Sequence, residues 1–356
     1  MAFWDSFFAK KERSVLGVDI GSSSLKVVQL RKEHDKAILE TYGELALGPY
    51  GGAEAGQATN LSAEQITETL KDLLREAKVT TTDCGVSIPF ARSLLTLVDL
   101  PRRDDPTEQK TVIELEARKY IPVPIQEVQL DWFVVPAIER AGSGASAEAP
   151  TKVPVLLVAV HNDELKLLQT ITAGAGLSAS FYEIEIFSTI RAVVDEVAKP
   201  VMVIDVGAAS TKVYVVEHGV VATSHAIGAG SQDITRAIAA SQNLPLARAE
   251  ALKREEGLTS RSPELVFSRI FSEAKRVLMQ YETAHQRSVT VIVLTGGGGV
   301  TKELDEYAKK IFSIDVRIAD PFAKTEAPAF MRPVLEEIGP EFAVAVGLAL
   351  RKLGEA

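Results

Sequence analysis

Two stretches of this chain repeat one short pattern, and this repeat constrains the fold more than any other feature. Residues 15–31 read VLGVDIGSSSLKVVQLR, and residues 201–217 read VMVIDVGAASTKVYVVE. Each stretch is an apolar run, an Asp-x-Gly segment with small residues, and a second apolar run, which is typical of a β-hairpin. The copies lie about half the chain apart, so they indicate two lobes that arose by duplication.

The residues that match between the copies suit a phosphate group and its metal ion. Asp19 aligns with Asp205, and Lys26 aligns with Lys212. Short loops of small residues present backbone N–H groups that can cradle phosphate. An aspartate at a strand end can hold Mg²⁺ through water. One such hairpin alone is usually only a turn, but two that face each other across a cleft would clamp a nucleotide.

Composition excludes several classes of protein. The net charge is −9, so the chain as a whole offers no basic surface for nucleic acid. Cys84 is the only cysteine, which excludes a disulfide framework and a multi-cysteine metal site. No apolar run approaches the ~18 residues that span a bilayer, and the first residues lack the features of a signal peptide. We therefore expect a cytoplasmic protein.

Periodicity and loop composition divide the chain into five parts. These are an N-terminal segment at 1–14, a first lobe core at 15–89, an inserted subdomain at 90–178, a second lobe at 179–340 and a closing helix at 341–356. The sequence of the inserted subdomain predicts elements in the order β-α-β-β-α, with a low-complexity loop at 141–151. In the first lobe, a Gly-rich loop at 48–60 precedes a helix that Ser62 and Gln65 would cap. The N-terminal aromatic residues suit either weak membrane contact or packing on their own lobe.

Two further motifs have both a structural and a functional interpretation. The run Gly296–Gly299 joins an apolar strand to a helix, which suits a backbone pressed against a flat ligand more than a plain connection. Glu250 and Lys253 share one helix face and, taken alone, indicate a surface ion pair. Glu183 or Glu185 could order a water molecule, or could simply complement a helix dipole.

The order of these motifs resembles the actin-like ATPase superfamily, which includes actin, Hsp70, sugar kinases and the cell-division protein FtsA. Within it, the chain is similar to the PilM family of type IV pilus assembly proteins. The opening LGVDIGSSSLKVVQL, the run EARKYIPVPIQEVQLDW and the position and size of the insertion carry this likeness. The resemblance implies an α/β fold with two duplicated lobes around a nucleotide cleft, and an inserted α+β subdomain like subdomain 1C of FtsA.

The resemblance also implies a site for ATP and Mg²⁺. The first phosphate loop would be Gly21, Ser22, Ser23 and Ser24, followed by Lys26; the second would be Gly207, Ala208, Ala209 and Ser210. Asp19 and Asp205 would hold the metal through water. Glu250 and Lys253 would meet the ribose and base, and Gly296, Gly297 and Gly298 the adenosine side. Because many relatives carry glycine or a polar residue where Ala208 and Ala209 stand, we expect ATP binding with at most slow hydrolysis.

The resemblance finally implies a partner. The protein would dock the N-terminal cytoplasmic peptide of a bitopic membrane protein of the PilN type in a groove that involves the insertion. It would sit peripherally at the inner membrane and link the assembly platform to pilus motor ATPases. Arg118, Lys119 and Tyr120 are candidate groove residues.

Two alternatives stay open. A small-molecule kinase of this fold would need an acidic base beside the acceptor hydroxyl. An FtsA-like filament former would grip a membrane through a C-terminal amphipathic tail, whereas here LALRKLGEA ends the chain directly after the closing helix.

Overall fold

The computed structural model describes residues 13–135, 151–195, 198–259 and 261–354. The N-terminal aromatic segment, most of the loop at 141–151 and the expected end of the strand near 138 lie outside these residues. Among the described residues, we find no helix whose length and apolar character would let it cross a bilayer.

The strands are β1 (Ser14–Ile20), β2 (Ser24–Glu33), β3 (Lys36–Ala46), β4 (Asp83–Ile88), β5 (Ser93–Pro101), β6 (Val128–Val134), β7 (Lys152–His161), β8 (Ser178–Ile184), β9 (Val201–Val206), β10 (Thr211–Glu217), β11 (Val220–Ile227), β12 (Val291–Thr295) and β13 (Asp315–Ile318). The helices are α1 (Ala63–Glu76), α2 (Pro106–Ala117), α3 (Asn162–Gly174), α4 (Glu185–Val193), α5 (Ser231–Gln242), α6 (Leu246–Glu256), α7 (Arg261–His285), α8 (Leu304–Phe312), α9 (Arg332–Ile338) and α10 (Ala343–Gly354). The predicted cap of α1 is confirmed, because Ser62 and Gln65 exchange hydrogen bonds between side chain and backbone.

The two lobes share one sheet topology. The first sheet has the order β3-β2-β1-β4-β8, and the second has the order β11-β10-β9-β12-β13. In both, the central strand pairs antiparallel with its hairpin partner and parallel with the strand on its other side. The register is equivalent too: Asp19 lies opposite Lys26, and Asp205 lies opposite Lys212. The structure therefore confirms the duplication that the repeat predicted.

The insertion ends earlier than the sequence indicated. Its sheet, β5-β7-β6, is separate from the other two, and the predicted order β-α-β-β-α is present. However, Ile171 of α3 packs in the core of the first lobe, and β8 pairs parallel with β4. The boundaries expected at 178 and 179 thus move, because β8 completes the first sheet through a crossover from β4.

The closing helix α10 packs on the first lobe. Ala345 and Val346 share a core cluster with Val15 of β1 and Val28 of β2. On its other side α10 meets α4 so closely that a Cβ on Gly347 would lie 1.9 Å from the carbonyl oxygen of Ser188. Only glycine fits such a close approach of backbone to backbone.

Beneath this contact, a buried carboxylate ties β8 to α4 and α10. Glu183 is 7% exposed. Its carboxylate accepts hydrogen bonds from Arg191 Nη1 at 2.8 Å and from Arg191 Nη2 at 2.9 Å. Arg351 Nη1 donates at 2.8 Å, and the hydroxyl of Ser188 also donates. Burial would raise the pKa of Glu183, but Arg191, Ser188 and Arg351 hold it below its ordinary value. Glu183 is therefore a structural carboxylate rather than a residue that orders water.

We expect Glu183→Ala to lower the free energy of unfolding at pH 7 by about 3 kcal/mol, because two guanidinium groups lose their buried partner. The folded-state pKa lies below the unfolded value near 4.5, so the stabilisation is present above that pH and is lost as the pH falls. Urea unfolding between pH 6 and pH 3 measures this. Glu76→Ala, at a carboxylate 73% exposed, is the control and should shift stability by less than about 0.5 kcal/mol. If the difference in unfolding free energy between wild type and Glu183→Ala does not change with pH, the assignment of Glu183 as a buried, charged carboxylate is wrong.

Candidate functional site

The two hairpin turns have the same backbone geometry. The N–H of Gly21 donates to the carbonyl of Ser24 at 3.1 Å, and the N–H of Gly207 donates to the carbonyl of Ser210 at 3.0 Å. Each turn follows a largely buried strand whose penultimate residue is an aspartate, Asp19 in β1 and Asp205 in β9. The residues predicted as phosphate loops are thus two copies of one tight turn, one on each lobe.

The glycine run after β12 lies against the second turn. Gly298 donates its N–H to the carbonyl of Val206 at 2.8 Å. Gly296 has φ +81°, and a Cβ there would lie 2.4 Å from Asp205 Oδ1. Neither the conformation nor the space allows a side chain. The structure thereby brings the predicted glycines at 296–298 next to the predicted Asp205.

The start of α5 completes the surroundings of the second turn. Ser231 donates its N–H to the carbonyl of Gly207 at 2.9 Å, and Gln232 donates to that of Ala208 at 3.0 Å. These bonds fix the turn in place, because they use first-turn N–H groups that a helix leaves without intrahelical partners.

Glu250 and Lys253 of α6 are buried partners and not a surface pair. Lys253 Nζ lies 2.6 Å from Glu250 Oε2, and the two side chains are 10% and 15% exposed. Thr235 of α5 donates to the same carboxylate oxygen at 2.6 Å. Lys253 also reaches the carbonyl of Ser231 at 3.4 Å, so the pair stands beside the second turn. Burial would raise the pKa of Glu250, but Lys253 and Thr235 hold it below its ordinary value.

A lysine lies between two carboxylates at the second hairpin. Lys212 Nζ is 2.6 Å from Glu185 Oε2 and 2.9 Å from Asp205 Oδ2. The exposed fractions are 13% for Lys212, 15% for Glu185 and 8% for Asp205. The other oxygen of Glu185 accepts the N–H of Phe90 at 2.7 Å. Burial would lower the pKa of Lys212, but Asp205 and Glu185 raise it well above its ordinary value, so this lysine stays charged.

The first hairpin has a different charge arrangement. Lys26 Nζ lies 2.9 Å from Glu44 Oε1 and donates to Ser24 Oγ at 2.6 Å. Asp19 Oδ1 accepts the hydroxyl of Ser87 at 2.9 Å. Burial raises the pKa of Asp19 to about 6, although the charge of Lys26 opposes the rise. The two aspartates, equivalent in the repeat, therefore have unlike surroundings.

The two hairpins differ in how well they suit Mg²⁺. Asp19 fits an ion held through water, since it is only partly buried and its carboxylate is bonded to a neutral hydroxyl. Asp205 does not fit, because the ammonium of Lys212 already occupies its Oδ2 and would repel a divalent cation. Within the described residues, no group of three or more His, Cys, Asp or Glu could hold a metal. The geometry thus disagrees with the expectation that both aspartates share one ion.

The Gly-rich loop at 48–60, which we call the cleft loop, was not predicted to take part in the site. Its two ends are fixed to the first turn: Leu47 donates its N–H to the carbonyl of Ser23 at 2.8 Å, and Thr59 donates to that of Ser22 at 3.0 Å. The hydroxyl oxygen of Thr59 is buried and has no hydrogen-bond partner among the described residues.

The middle of the cleft loop touches the second lobe. Ala58 donates its N–H to Gln232 Oε1 at 3.2 Å. The backbone of Gly56 packs against the carboxylate of Glu250, which would be 3.2 Å from a Cβ there. The cavity between the loop and α5 and α6 has a volume of only about 10 Å³. The loop therefore covers the residues predicted to meet the ribose and base.

The three candidate groove residues lie elsewhere, on the inserted subdomain. Arg118 follows α2 directly, and Lys119 pairs with Glu116 at 2.7 Å. Tyr120 is 41% exposed. These residues lie between α2 and β6, and the sheet that contains β6 is separate from the two sheets that carry the hairpins.

Solved structures of similar fold support this architecture. A PilM–PilN type IV pilus biogenesis complex matches with a TM-score of 0.80 and 26% identity, covering 95% of this chain and 98% of the other. MreB5 of Spiroplasma citri bound to AMPPNP matches with a TM-score of 0.54 and 12% identity, covering 96% of this chain and 97% of the other. The fold is therefore that of the actin-like ATPases, as the sequence predicted.

Sequence comparison gives the same result. The cell division protein FtsA of Neisseria meningitidis serogroup B (strain ATCC BAA-335 / MC58) is 24% identical over 384 residues, which covers 95% of this chain and 90% of that protein. The model of the family described as type IV pilus assembly protein PilM matches residues 17–353. Since this match spans nearly the whole chain, the protein belongs to the PilM family of type IV pilus assembly proteins.

Proposed function

We propose that this protein binds ATP between its two hairpin turns and docks the N-terminal cytoplasmic peptide of a PilN-type inner-membrane protein on its inserted subdomain. The observation that carries the proposal is the pair of matched turns, at Gly21–Ser24 and Gly207–Ser210, with equivalent backbone bonds. In this role the protein would be a scaffold, held at the inner membrane through its partner and linking the platform to pilus motor ATPases.

Several contacts support ATP as the ligand. Two tight turns on different lobes can hold a chain of phosphates from both sides. The pair of Glu250 and Lys253 stands beside the second turn, and ribose hydroxyls could reach it once the cleft loop moves away from Glu250. The buried hydroxyl of Thr59 has a spare hydrogen bond in the described structure, as expected of a group that serves a ligand. MreB5, a protein of the same fold, was solved with AMPPNP.

The geometry favours slow turnover. Glu185 is a carboxylate at the second hairpin, where Lys212 donates to one of its oxygens and the N–H of Phe90, which follows β4, donates to the other. A water molecule that attacks a phosphate must be oriented by a group with a free acceptor. Because Lys212 and the Phe90 N–H hold both oxygens of Glu185 in place, this carboxylate has little freedom to turn toward an attacking water, and we propose that the protein responds to bound ATP more than it consumes ATP.

The inserted subdomain offers an apolar surface for a peptide. Its exposed large side chains are Leu115, Tyr120, Phe133 and Val134. Phe133 and Val134 belong to β6, one of the two edge strands of the subdomain's sheet, and an edge strand can also pair with an added backbone. The similar PilM–PilN complex supports a peptide of this origin.

We expect wild type to bind ATP in calorimetry and Lys26→Gln to weaken binding at least about tenfold, because a buried cation beside the first turn is lost. Lys36→Gln on the neighbouring strand is the matched control, since Lys36 is 62% exposed and far less able to affect a buried ligand. Phosphate release in the same samples should stay well below roughly 1 s⁻¹.

Two results would change this conclusion. A wild type that shows no binding would leave the fold as a docking platform only. Rapid ATP consumption that depends on an added sugar or acid would favour the kinase alternative.

We expect Tyr120→Ala and Phe133→Ala each to weaken binding of the partner's N-terminal peptide about tenfold, because exposed aromatic residues dominate such contacts. Fluorescence anisotropy with the labelled synthetic peptide measures the dissociation constant. Leu265→Ala, at a residue 75% exposed on α7, is the control and should bind like wild type. If both insertion variants bind normally, the peptide docks elsewhere.

A further inference from the structure

We infer that the chain's own N-terminal aromatic segment, residues 1–12, docks in a groove of the first lobe and so keeps its aromatic side chains away from the membrane. The groove has a volume of about 490 Å³, and its walls are the turn between β2 and β3, the segment at 323–326 and the last turn of α10. The inference does not depend on the proposed function, because it involves neither the hairpin turns nor the inserted subdomain.

The first support is the chemistry of the groove. Ala37, Ala323, Leu350 and Leu353 contribute apolar side chains to its lining. Leu353 is 5% exposed, but Leu350 and Ala37 are only partly buried and Ala323 is exposed. Apolar surface that stays in water is unfavourable, so the groove suits a segment that brings large apolar side chains.

The second support is the composition of the segment. Its first nine residues read MAFWDSFFA, with aromatic residues at Phe3, Trp4, Phe7 and Phe8 and one charged residue, Asp5. Contiguous apolar side chains of this size are rarely left uncovered on a protein. The segment therefore needs a cover, and the groove offers one on the same chain.

The third support is the place where the chain enters the first lobe. Ser14, the first residue of β1, lies opposite Arg31 of β2. The next residue of β2 is Lys32, which lines the groove. The segment thus begins one strand away from the groove.

A second contact places the chain entry beside α10. Arg13 Nη2 lies 2.6 Å from Asp83 Oδ2, and Lys352 Nζ, in the last turn of α10, lies 3.8 Å from Oδ1 of the same carboxylate. The end of α10 forms another wall of the groove. Twelve extended residues span up to about 40 Å, so the aromatic residues reach the groove easily.

The charges around the groove favour this occupant over a lipid surface. Lys36 is paired with Glu326, and Lys324 Nζ lies 3.0 Å from Asp195. Anionic lipids attract clusters of basic residues that have no acidic partners. Because these lysines are compensated, this side of the first lobe offers little attraction to a membrane, and the aromatic segment gains more from its own lobe.

The test uses Trp4 as the reporter. In the full chain with Trp132→Phe, Trp4 is the only tryptophan, and acrylamide quenching of its fluorescence measures its accessibility. We expect Ala323→Arg, which places a charged side chain in the groove, to raise the quenching constant at least about twofold, because a terminus that is not tied down is open to solvent. Ala329→Arg is the matched control. Ala329 is also an exposed alanine in a short 3₁₀ helix, outside the groove lining, and its variant should quench like the parent.

Tryptic cleavage gives a second measurement that does not need Trp132→Phe. Trypsin cuts after Lys10 and Lys11, and the rate follows the fraction of molecules in which the segment is undocked. We expect Ala323→Arg to be cut there at least about threefold faster than wild type, and Ala329→Arg to be cut like wild type. Ala323 is exposed, so the arginine does not disturb the core.

Three results would overturn the inference. The first is a Trp4 in the parent that is quenched as fully as a free tryptophan analogue. The second is a Trp4 that is shielded equally in the parent and in Ala323→Arg, since the segment then docks elsewhere. The third is a shift of Trp4 emission to shorter wavelength when anionic phospholipid vesicles are added to the parent, since the segment then enters the membrane. We expect the vesicles to leave the parent's emission unchanged.

Discussion

One buried ion pair connects the two halves of this molecule: the ammonium of Lys212 in the second lobe and the carboxylate of Glu185. Glu185 is the first residue of α4, directly after the last strand of the first sheet. The helix α10 in turn packs on α4 and on β1. Loss of either partner would leave an uncompensated charge in the interior, so this pair reinforces the apolar cluster in which Ile184 of the first sheet packs with Val203 and Tyr214 of the second.

The local structure and the duplication could be predicted from the sequence because both depend on short-range patterns. The repeat predicted both hairpins, and the structure adds that Asp19 pairs with Lys26 across the first of them, since a tight turn fixes the register of its two strands. The helix cap at Ser62 was predicted for the same reason, because it depends on residues that are only three positions apart. The run Gly296–Gly299 was predicted to press against a flat ligand. That Gly296 lies against Asp205 depends on β12 lying beside β9, which no local pattern encodes.

What the sequence could not give were contacts between distant segments. The strand β8 reads as a strand in any context, and only its pairing with β4 assigns it to the first lobe. Glu250 and Lys253 read as an exposed pair, because the burial comes from α5 and from the cleft loop. Lys212 was recognised as the match of Lys26, but its partner Glu185 lies 27 residues away on another lobe. The charge of Lys212 does not by itself indicate which acidic residue is its partner.

The cleft loop has a mechanical consequence. Both of its ends are anchored at Ser22 and Ser23, so it must travel with the first lobe. Its hold on the second lobe consists of one hydrogen bond to Gln232 and a glycine resting on Glu250, which is on the order of 1 kcal/mol. The ion pair at Glu185 resists separation far more strongly. The lobes are therefore stiffly joined at one end of the cleft and loosely latched at the other, and a hinge built in this way opens by rotation about its buried end.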